Sequence, residues 1–316
     1  MRLLFASLAT PGHTYPLLPL AVAAQRAGHE VHFASGPGMH AELDRLGLRP
    51  FQPGQAVYQV FAGDIRTEMA RLRPDRVIAG WGVPGVIEAA VELDIPRLWH
   101  GFGRMFPDGI GLEPLSFEDP HIDICPPLLQ DPAFVSAATR IPLRPLPWST
   151  GGATATRGER PLVFVTFGTS FHVAPALVDV LEGLALLRAD VVAAAQTLDA
   201  VPDGVTVHPW VDQRELLRQA DLVVHHGGSG TTLGALAAGT PQLVIPQGAD
   251  QFGNADAVVH CGAGRRLDAV SVAAVAAAAN AVLRDPACRA AAEFVAAEIA
   301  AMPAPGEVAR ELFASV

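Results

Sequence analysis

The sequence predicts an α/β protein built from two Rossmann-like, doubly wound domains. Short apolar runs alternate with helix-length segments along almost the whole chain. Apolar residues follow one another in these runs instead of alternating with polar ones, which is typical of strands buried on both faces of a parallel sheet. The pattern also restarts after a stretch rich in Pro, Gly, Ser and Thr near residues 145–160, which indicates a linker between two such domains.

The elements follow one another in a regular order. In the first half, strands are predicted at 2–8, 30–35, 75–80 and 96–101, and helices at 16–27, 38–46, 62–72 and 84–93. In the second half, strands are predicted at 162–167, 190–195, 205–208, 221–226 and 241–246, followed by helices near 271–283, 285–300 and 306–314. The resulting domains are 1–147 and 161–303, with a linker at 148–160 and a last segment, 304–316, expected to pack back on the first domain.

Composition excludes several classes of function. The 316 residues carry a net charge of −10, which argues against nucleic acid or an anionic membrane surface as the main partner. The sequence contains no lysine, so P-loop phosphate binding and Schiff-base chemistry are both excluded. Any bound anion must therefore be held by backbone N–H groups, arginine, histidine or hydroxyls.

The cysteines and the apolar segments indicate the compartment. Cys125, Cys261 and Cys288 are scattered, with no CxxC pair and no histidine cluster, so neither a metal site nor a disulfide framework is expected. The first apolar run lasts seven residues before Pro11, which favours a strand over a signal peptide. Since no apolar stretch free of Gly and Pro reaches transmembrane length, a cytoplasmic protein is expected.

One stretch, "HHGGSGTTLGALAAG" at 225–239, has the features of an anion-binding turn. A strand is predicted to end at His225-His226, and a helix to begin near Ser229. The two glycines between them allow a tight turn, and the N–H groups of residues 229 to 231 are expected to point out of the helix N-terminus. Hydroxyls of Ser229, Thr231 and Thr232 would add donors. The pattern predicts a phosphate or diphosphate site; a plain Gly-rich turn is the alternative.

The longer stretch "HHGGSGTT…AGTPQLVIPQGADQFGNA" resembles the C-terminal signature of family-1 glycosyltransferases of the GT-B fold, particularly bacterial natural-product enzymes. The likeness continues through "HPWVDQRELL", "VFVTFGTS" and the N-terminal "GHTYPLLPLAVAAQRAGHEVHFAS". It implies two domains facing each other across a cleft, a nucleotide-sugar donor, a small-molecule aglycone acceptor, and inverting chemistry without a metal or cofactor. A homodimer is left open.

The resemblance also implies a role for each donor-binding residue. Trp210 would stack on the nucleobase, with the Val211 backbone bonding its edge. The diphosphate would be held by His226, Gly228, Ser229, Gly230 and Thr231, together with Thr169 and Ser170 of "TFGTS". Asp250 and Gln251 would bind sugar hydroxyls. Taken without the resemblance, Trp210 reads as a core aromatic and Asp250 as a helix N-cap.

One departure from the family pattern bears on the nucleotide. Plant relatives place a glutamate eight residues after the diphosphate histidine, where it grips both ribose hydroxyls; here that position is Gly234. A nucleotide with 2′-deoxyribose has no 2′-hydroxyl for a glutamate to bind, so it loses no contact when this position is glycine. The sequence therefore favours a dTDP-sugar over a UDP-sugar.

His13, in "TPGHTYP" between the first strand and the first helix, is the candidate catalytic base. A helix N-terminus is expected to disfavour imidazolium, which would keep His13 neutral and able to accept a proton. The acidic partner usual in the family is missing, because Gly80 stands in its place and Asp75 and Glu92 are poor substitutes by position. His13 then acts alone or has a partner from an unexpected segment.

The resemblance thus implies a glycosyltransferase that moves a sugar or deoxysugar from a dTDP-sugar to a hydroxyl of a polyketide-like aglycone in antibiotic biosynthesis. The loops after residues 48–54 and around residues 106–114, which the resemblance implies would face the acceptor, are shorter than the family leads one to expect. Two alternatives keep the fold: a catalytically silent helper, made plausible by Gly80, and a nucleotide-sugar epimerase. A Rossmann oxidoreductase is disfavoured because no strand ends in GxGxxG.

Overall fold

The computed structural model of the chain describes residues 1–54, 60–105, 112, 114, 116–155, 158–168, 174–195 and 200–314. It divides into two compact units. The first comprises Met1–Leu146 and Ala301–Val316, and the second comprises Pro147–Ala300. The fold class predicted from the sequence, two doubly wound α/β domains, is confirmed.

The first unit is built on a parallel sheet. Its strands are β1 (Arg2–Ala6), β2 (Glu30–Ala34), β3 (Arg49–Phe51), β4 (Arg76–Gly80), β5 (Arg97–His100), β6 (His121–Asp123) and β7 (Arg140–Pro142). They pair in the order β3-β2-β1-β4-β5-β6-β7, every pair parallel. In β1, Leu3, Leu4, Phe5 and Ala6 are all fully buried, as expected for a strand covered on both faces.

Helices connect these strands. They are α1 (Pro11–Thr14), α2 (Leu18–Arg26), α3 (His40–Arg45), α4 (Ala62–Leu72), α5 (Pro84–Glu92) and α6 (Pro132–Ala137). The strand order reverses between β1 and β4, so the loops after these two strands diverge and leave room at the carboxyl edge of the sheet. His13 follows β1 and Gly80 ends β4, which places both residues at this switch point.

The second unit repeats the scheme. Its strands are β8 (Leu162–Thr166), β9 (Asp190–Ala194), β10 (Val205–His208), β11 (Leu222–His225), β12 (Gln242–Val244) and β13 (Gly264–Arg266), in the parallel order β10-β9-β8-β11-β12-β13. Its helices are α7 (Ala174–Ala185), α8 (Gln213–Gln219), α9 (Ser229–Ala237), α10 (Gln251–His260), α11 (Val272–Leu283) and α12 (Pro286–Ala301). Here the order reverses between β8 and β11.

The last segment of the chain and the predicted linker belong to different units. The last helix, α13 (Pro305–Leu312), packs on α2 of the first unit, and Arg76 donates to the carbonyl of Leu312 (2.6 Å). Residues 149–153 of the segment predicted as linker lie within the second unit, where Ala153 pairs with Val211. No helix within the described ranges is long and apolar enough to cross a membrane.

Three histidines are fully buried in strands of these sheets: His100, His121 and His225. His100, at the end of β5, donates from Nδ1 to the carbonyl of Gly101 (2.6 Å). Burial lowers the pKa of His100 to about 4 and that of His225, at the end of β11, to about 3. Both rings are therefore neutral in the folded protein at pH 7.

These buried rings predict an acid-sensitive fold. In the unfolded chain a histidine takes up a proton near pH 6.5, whereas the folded rings stay neutral until about pH 4. Stability is therefore fully present above pH 6.5 and is lost as the pH falls. We expect the free energy of unfolding, from urea titrations between pH 6.5 and 5, to fall by about 1.4 kcal/mol per pH unit for each such histidine. A urea midpoint of the wild-type protein that does not change with pH over this range would contradict the prediction. In His100→Gln, the free energy of unfolding should fall less steeply with decreasing pH than in the wild type.

Candidate functional site

The anion-binding turn lies where two neighbouring strands of the second unit end. β11 pairs with β8, and His225 stands opposite Thr166 at the carboxyl end of both strands. Gly168 follows β8 with φ of 72°, and Gly227 follows β11 with φ of 94°, a region that glycine enters without strain. Gly168 and Gly228, one from each loop, both lie against the ring of His226.

His225 stabilises this turn. Its Nδ1 accepts a hydrogen bond from the backbone N–H of Gly227 (3.1 Å), so the proton of the neutral ring must be on Nε2. That Nε2 donates to Oε1 of Gln242 (2.7 Å). Since both ring nitrogens bond to protein groups in the interior, His225 has a structural role.

His226 is the histidine that belongs to the site. Its ring is wedged between two glycines: a Cβ on Gly168 would lie 2.8 Å from its Cε1, and one on Gly228 would lie 2.4 Å from its Nε2. Burial lowers the pKa of His226 to about 4, against an opposing hydrogen bond with the Thr166 backbone. The ring is neutral at pH 7 and carries a single N–H, and its role toward a diphosphate stays a prediction.

The helix that follows uses one of the expected backbone donors. Gly228 is the N-cap of α9, and its carbonyl accepts from the N–H groups of Thr231 (3.1 Å) and Thr232 (3.0 Å). The prediction that the Thr231 N–H points outward is therefore wrong, because this group closes the first helical turn. The N–H groups of Ser229 and Gly230 precede that turn and have no acceptor within the helix.

The hydroxyls differ from expectation as well. Ser229 donates its hydroxyl to Oδ2 of Asp250 (2.8 Å), and Thr232 donates its own to the carbonyl of Gly228 (3.1 Å). Neither proton is available to an anion, contrary to the prediction. Thr231 differs, because its Oγ1 accepts from Nε2 of Gln213 (3.0 Å) and keeps its own proton to donate.

Asp250 belongs to a small buried network that the sequence did not predict. Nδ2 of Asn254 lies within hydrogen-bond distance of the Gly227 carbonyl (2.8 Å), Asp250 Oδ2 (2.9 Å) and Ser229 Oγ (3.1 Å). Burial raises the pKa of Asp250, while these hydrogen bonds oppose the rise. Asp250 does occupy the N-cap position of α10, but its side chain makes no capping bond and is held by Ser229 and Asn254 instead.

Gln251 lies beside Asp250 and is buried. Its Oε1 accepts from the backbone N–H groups of Gln247 (2.8 Å) and Gly248 (3.2 Å). These bonds hold the turn before α10. Only the amide NH₂ of Gln251 can then serve a ligand, as a donor.

Trp210 is half-exposed, at 48%, and is not a core residue. Its Nε1 donates to Oγ1 of Thr150 (3.0 Å), which fixes one edge of the indole. The β-bridge of Ala153 consists of two backbone hydrogen bonds. The N–H of Ala153 donates to the carbonyl of Trp210 (3.3 Å), and its carbonyl accepts from the N–H of Asp212 (2.8 Å). The amide groups of Val211 lie outside this bridge, which suits the backbone role expected for Val211.

Gly234 is buried in α9. A Cβ placed there would lie 2.7 Å from Leu217 Cδ1 and 3.2 Å from Pro147 Cγ. Apolar side chains therefore fill the space into which a longer side chain at this position would extend. The structure gives the physical reason for glycine here.

His13 of the first unit lies within the four-residue helix α1, at the switch point of its sheet. Its Nδ1 is 2.7 Å from Thr10 Oγ1, and its ring packs edge to face on Phe102, with centroids 4.8 Å apart. Burial lowers the pKa of His13 to about 4. The ring is neutral as predicted, but the stated cause was wrong, since His13 is in the last turn of α1 and burial lowers its pKa.

The candidate acidic partners of His13 are engaged elsewhere. Asp75 accepts from the backbone N–H of Arg2 (2.6 Å) at the opposite edge of the sheet, and Glu92 pairs with Arg66 (2.9 Å). Gly80 ends β4, and a Cβ there would lie 3.3 Å from the carbonyl of Ala6. Thr10 is thus the unexpected partner of His13, three residues away on the same turn.

Some predicted residues lie outside the described part of the chain. Thr169 and Ser170 are among them, as is most of the segment 106–114. Within the described ranges, no three His, Cys, Asp or Glu side chains are grouped in a way that could hold a metal ion.

The chain is similar to several proteins of known activity. Residues 178–315 match the family model described as the C-terminal domain of erythromycin biosynthesis protein CIII-like proteins. Over 378 residues the chain is 32% identical to the elloramycin glycosyltransferase ElmGT of Streptomyces olivaceus, covering 99% of this chain and 97% of that protein. The L-demethylnoviosyl transferase of Streptomyces niveus is 31% identical, covering 99% and 98%.

A solved structure agrees with these relatives. The spinosyn rhamnosyltransferase SpnG complexed with thymidine diphosphate superposes with a TM-score of 0.82 at 25% identity, covering 99% of this chain and 100% of that one. The alignment with the elloramycin enzyme is longer than the 316 residues of this chain. Internal segments of that relative therefore have no counterpart here.

The packing of His226 generates a prediction with a matched control. Gly228→Ala forces the confined ring of His226 to move, and overpacking of this kind costs about 1–3 kcal/mol. Gly230→Ala adds a Cβ with nothing within 4 Å, and alanine is at least as good a helix former as glycine. Urea unfolding should show a loss of stability for Gly228→Ala alone. Equal stability of the two variants would show that His226 is not confined as described.

Proposed function

The chain belongs to the family-1 bacterial natural-product glycosyltransferases, and from that premise we propose that its donor is a dTDP-sugar. It is a glycosyltransferase of antibiotic biosynthesis, with a nucleotide-sugar donor and a small-molecule acceptor. The proposal adds that transfer is inverting and metal-independent and that the acceptor is a polyketide-like aglycone. Relatives named as transferases favour this reading over a silent helper or an epimerase.

The diphosphate site carries the proposal. The N–H groups of Ser229 and Gly230, at the positive end of the α9 dipole, would bind phosphate oxygens together with the Thr231 hydroxyl and the neutral ring of His226. Thr169 and Ser170 are proposed to add donors from the neighbouring loop. Since the chain has no lysine, these neutral donors would also stabilise the charge that builds on the leaving diphosphate.

The nucleoside and the sugar are assigned to the flanking residues. The exposed face of Trp210 would stack on thymine, and the Val211 backbone would bond its edge. Leu217 and Pro147 beside Gly234 offer no polar group to a ribose 2′-hydroxyl, which supports a deoxyribose nucleotide. Asp250, with one oxygen held by Ser229 and Asn254, and the amide of Gln251 would bind hydroxyls of the sugar.

His13 would supply the base. A neutral imidazole at the switch point of the first unit can accept the proton of the acceptor hydroxyl as that oxygen attacks the anomeric carbon. The attack from the face opposite the leaving diphosphate inverts the configuration. The diphosphate departs with the electron pair of the broken C–O bond.

The donor assignment is tested by binding. His226→Ala removes one hydrogen bond to a charged group, worth about 1.5–3 kcal/mol, so the affinity for dTDP should fall by about ten- to a hundredfold. Affinity for thymidine, which lacks the diphosphate, should barely change in isothermal titration calorimetry. The exposed His260 provides a control, because His260→Ala should leave both affinities as they are.

Two outcomes would contradict the assignment. Equal losses for dTDP and thymidine would make His226 a structural residue. A strong preference of the wild-type protein for UDP over dTDP, abolished when the 2′-hydroxyl is removed, would refute the deoxyribose argument.

The base is tested by turnover. His13→Ala should leave the dTDP affinity intact and reduce transfer by about 10²–10⁴. The reduction of the transfer rate in His13→Ala should be smaller for acceptors with a more acidic hydroxyl, because such a hydroxyl gives up its proton more readily without a base. The wild-type rate should hold down to about pH 5 and fall as the pH approaches 4, where His13 protonates. Near-normal transfer by His13→Ala to an unactivated hydroxyl would place the base elsewhere.

A further inference from the structure

The side chain of Thr10 does not cap the helix at whose N-terminus it stands. It stands at the N-cap of α1 with an extended backbone, φ −132° and ψ 152°, yet its side chain makes no capping bond. A threonine in this position normally accepts from a backbone N–H of the first helical turn. Here the hydroxyl lies 2.7 Å from Nδ1 of His13 instead.

This contact has a consequence for the ring of His13. A hydroxyl can donate or accept, so Thr10 is compatible with either tautomer. Only the tautomer in which Nδ1–H donates to Thr10 Oγ1 leaves a lone pair on Nε2 for the acceptor proton. The edge-to-face contact with Phe102, at 4.8 Å, holds the plane of the ring from another direction.

A hydroxyl and a carboxylate orient an imidazole equally well, but they differ in charge. A carboxylate also stabilises the imidazolium that forms during proton transfer. Within the described residues, the hydrogen bond and the ring contact of His13 go to Thr10 and Phe102, both uncharged, and Gly80 supplies no side chain. Among the described residues, the base is thus oriented by a partner that adds no negative charge beside it.

We propose that Thr10 is a positioning residue that fixes His13 in the Nδ1–H tautomer, and that a base held by this neutral partner serves an acidic acceptor hydroxyl, a phenol or an enol, rather than an aliphatic alcohol. The second half rests on the proposed function. The proton passes from the acceptor O–H to His13 Nε2, the acceptor oxygen bonds to the anomeric carbon, and the diphosphate leaves with the electrons of its C–O bond.

The role of Thr10 can be tested without any transfer reaction. In protein labelled with ¹⁵N-histidine, NMR should show His13 protonated at Nδ1 and bare at Nε2, its signals being identified by their loss in His13→Ala. Thr10→Val, which keeps the shape and removes the hydroxyl, should give a mixture of tautomers, and Thr10→Ser should restore the wild-type spectrum. Unfolding temperatures close to the wild type would show that the variants fold. An Nε2–H tautomer in the wild type, or an unchanged tautomer in Thr10→Val, would overturn the role.

The proposed acceptor class is tested by introducing a carboxylate beside His13, at the position of Thr10. Aspartate is as good an N-cap as threonine, so Thr10→Asp should fold, and its carboxylate should raise the pKa of His13 in the same NMR titration. With dTDP-glucose as donor and the matched probes 1-naphthol and 1-naphthalenemethanol, mass spectrometry should show wild-type transfer to the phenol faster by about 100-fold or more. In Thr10→Asp, the ratio of the transfer rate to the phenol over that to the alcohol should be smaller by about tenfold or more, because transfer to the alcohol gains most from the added carboxylate.

The outcomes separate this inference from the proposed function. Wild-type transfer to the alcohol as fast as to the phenol, or a ratio unchanged in Thr10→Asp although the pKa of His13 has risen, would refute the acidic-acceptor class. Failure of dTDP to bind in calorimetry would refute the donor proposal instead, and the NMR spectra would still decide the role of Thr10.

Discussion

The pairing of β11 with β8 determines where ligand-binding groups of the second unit can lie. These strands are adjacent and parallel, but the strand order runs away from them in opposite directions, so their carboxyl-terminal loops separate. His226 and Gly228 come from one loop and Gly168 from the other. The first unit has the same reversal between β1 and β4, which brings His13 to the equivalent edge. Both candidate sites thus follow from topology before any side chain is considered.

The two histidines proposed to act in the two sites are both neutral. Burial keeps His13 and His226 uncharged at pH 7, and the chain contains no lysine to supply a fixed positive charge. A helix N-terminus can take that place, because its N–H groups carry partial positive charge that is already oriented and needs no counter-ion. The same burial makes the fold sensitive to acid, since each neutral ring must be kept from protonation. The neutral state proposed for the site histidines and the acid sensitivity of the fold therefore have one physical origin, the burial of these rings.

Much of the fold could be predicted because long, unbroken apolar runs identify buried parallel strands. The strands that were missed, β3, β6, β7 and β13, are three residues long and contain Arg, Pro, His or Asp, so their pairing depends on the backbone and leaves no side-chain pattern. Candidate site residues could be proposed where a motif is contiguous. The partners of Ser229 and Thr231 were not, because Asp250 and Gln213 come from other segments of the chain. Gln213 and Asn254 were within quoted motifs, but nothing local marks their contacts.

Asn254 shows what such a contact adds to the site. One buried amide joins the carbonyl of Gly227, in the turn before α9, to the carboxylate of Asp250, at the start of α10. The groups proposed to hold the diphosphate and those proposed to hold the sugar are therefore fixed to each other rather than separately to the scaffold. Because Oδ2 of Asp250 is committed to Ser229 and Asn254, the direction of its other oxygen is set before a ligand arrives. A donor then loses little free energy to ordering these side chains, and a sugar whose hydroxyls do not meet this fixed direction would be disfavoured even when its diphosphate binds well.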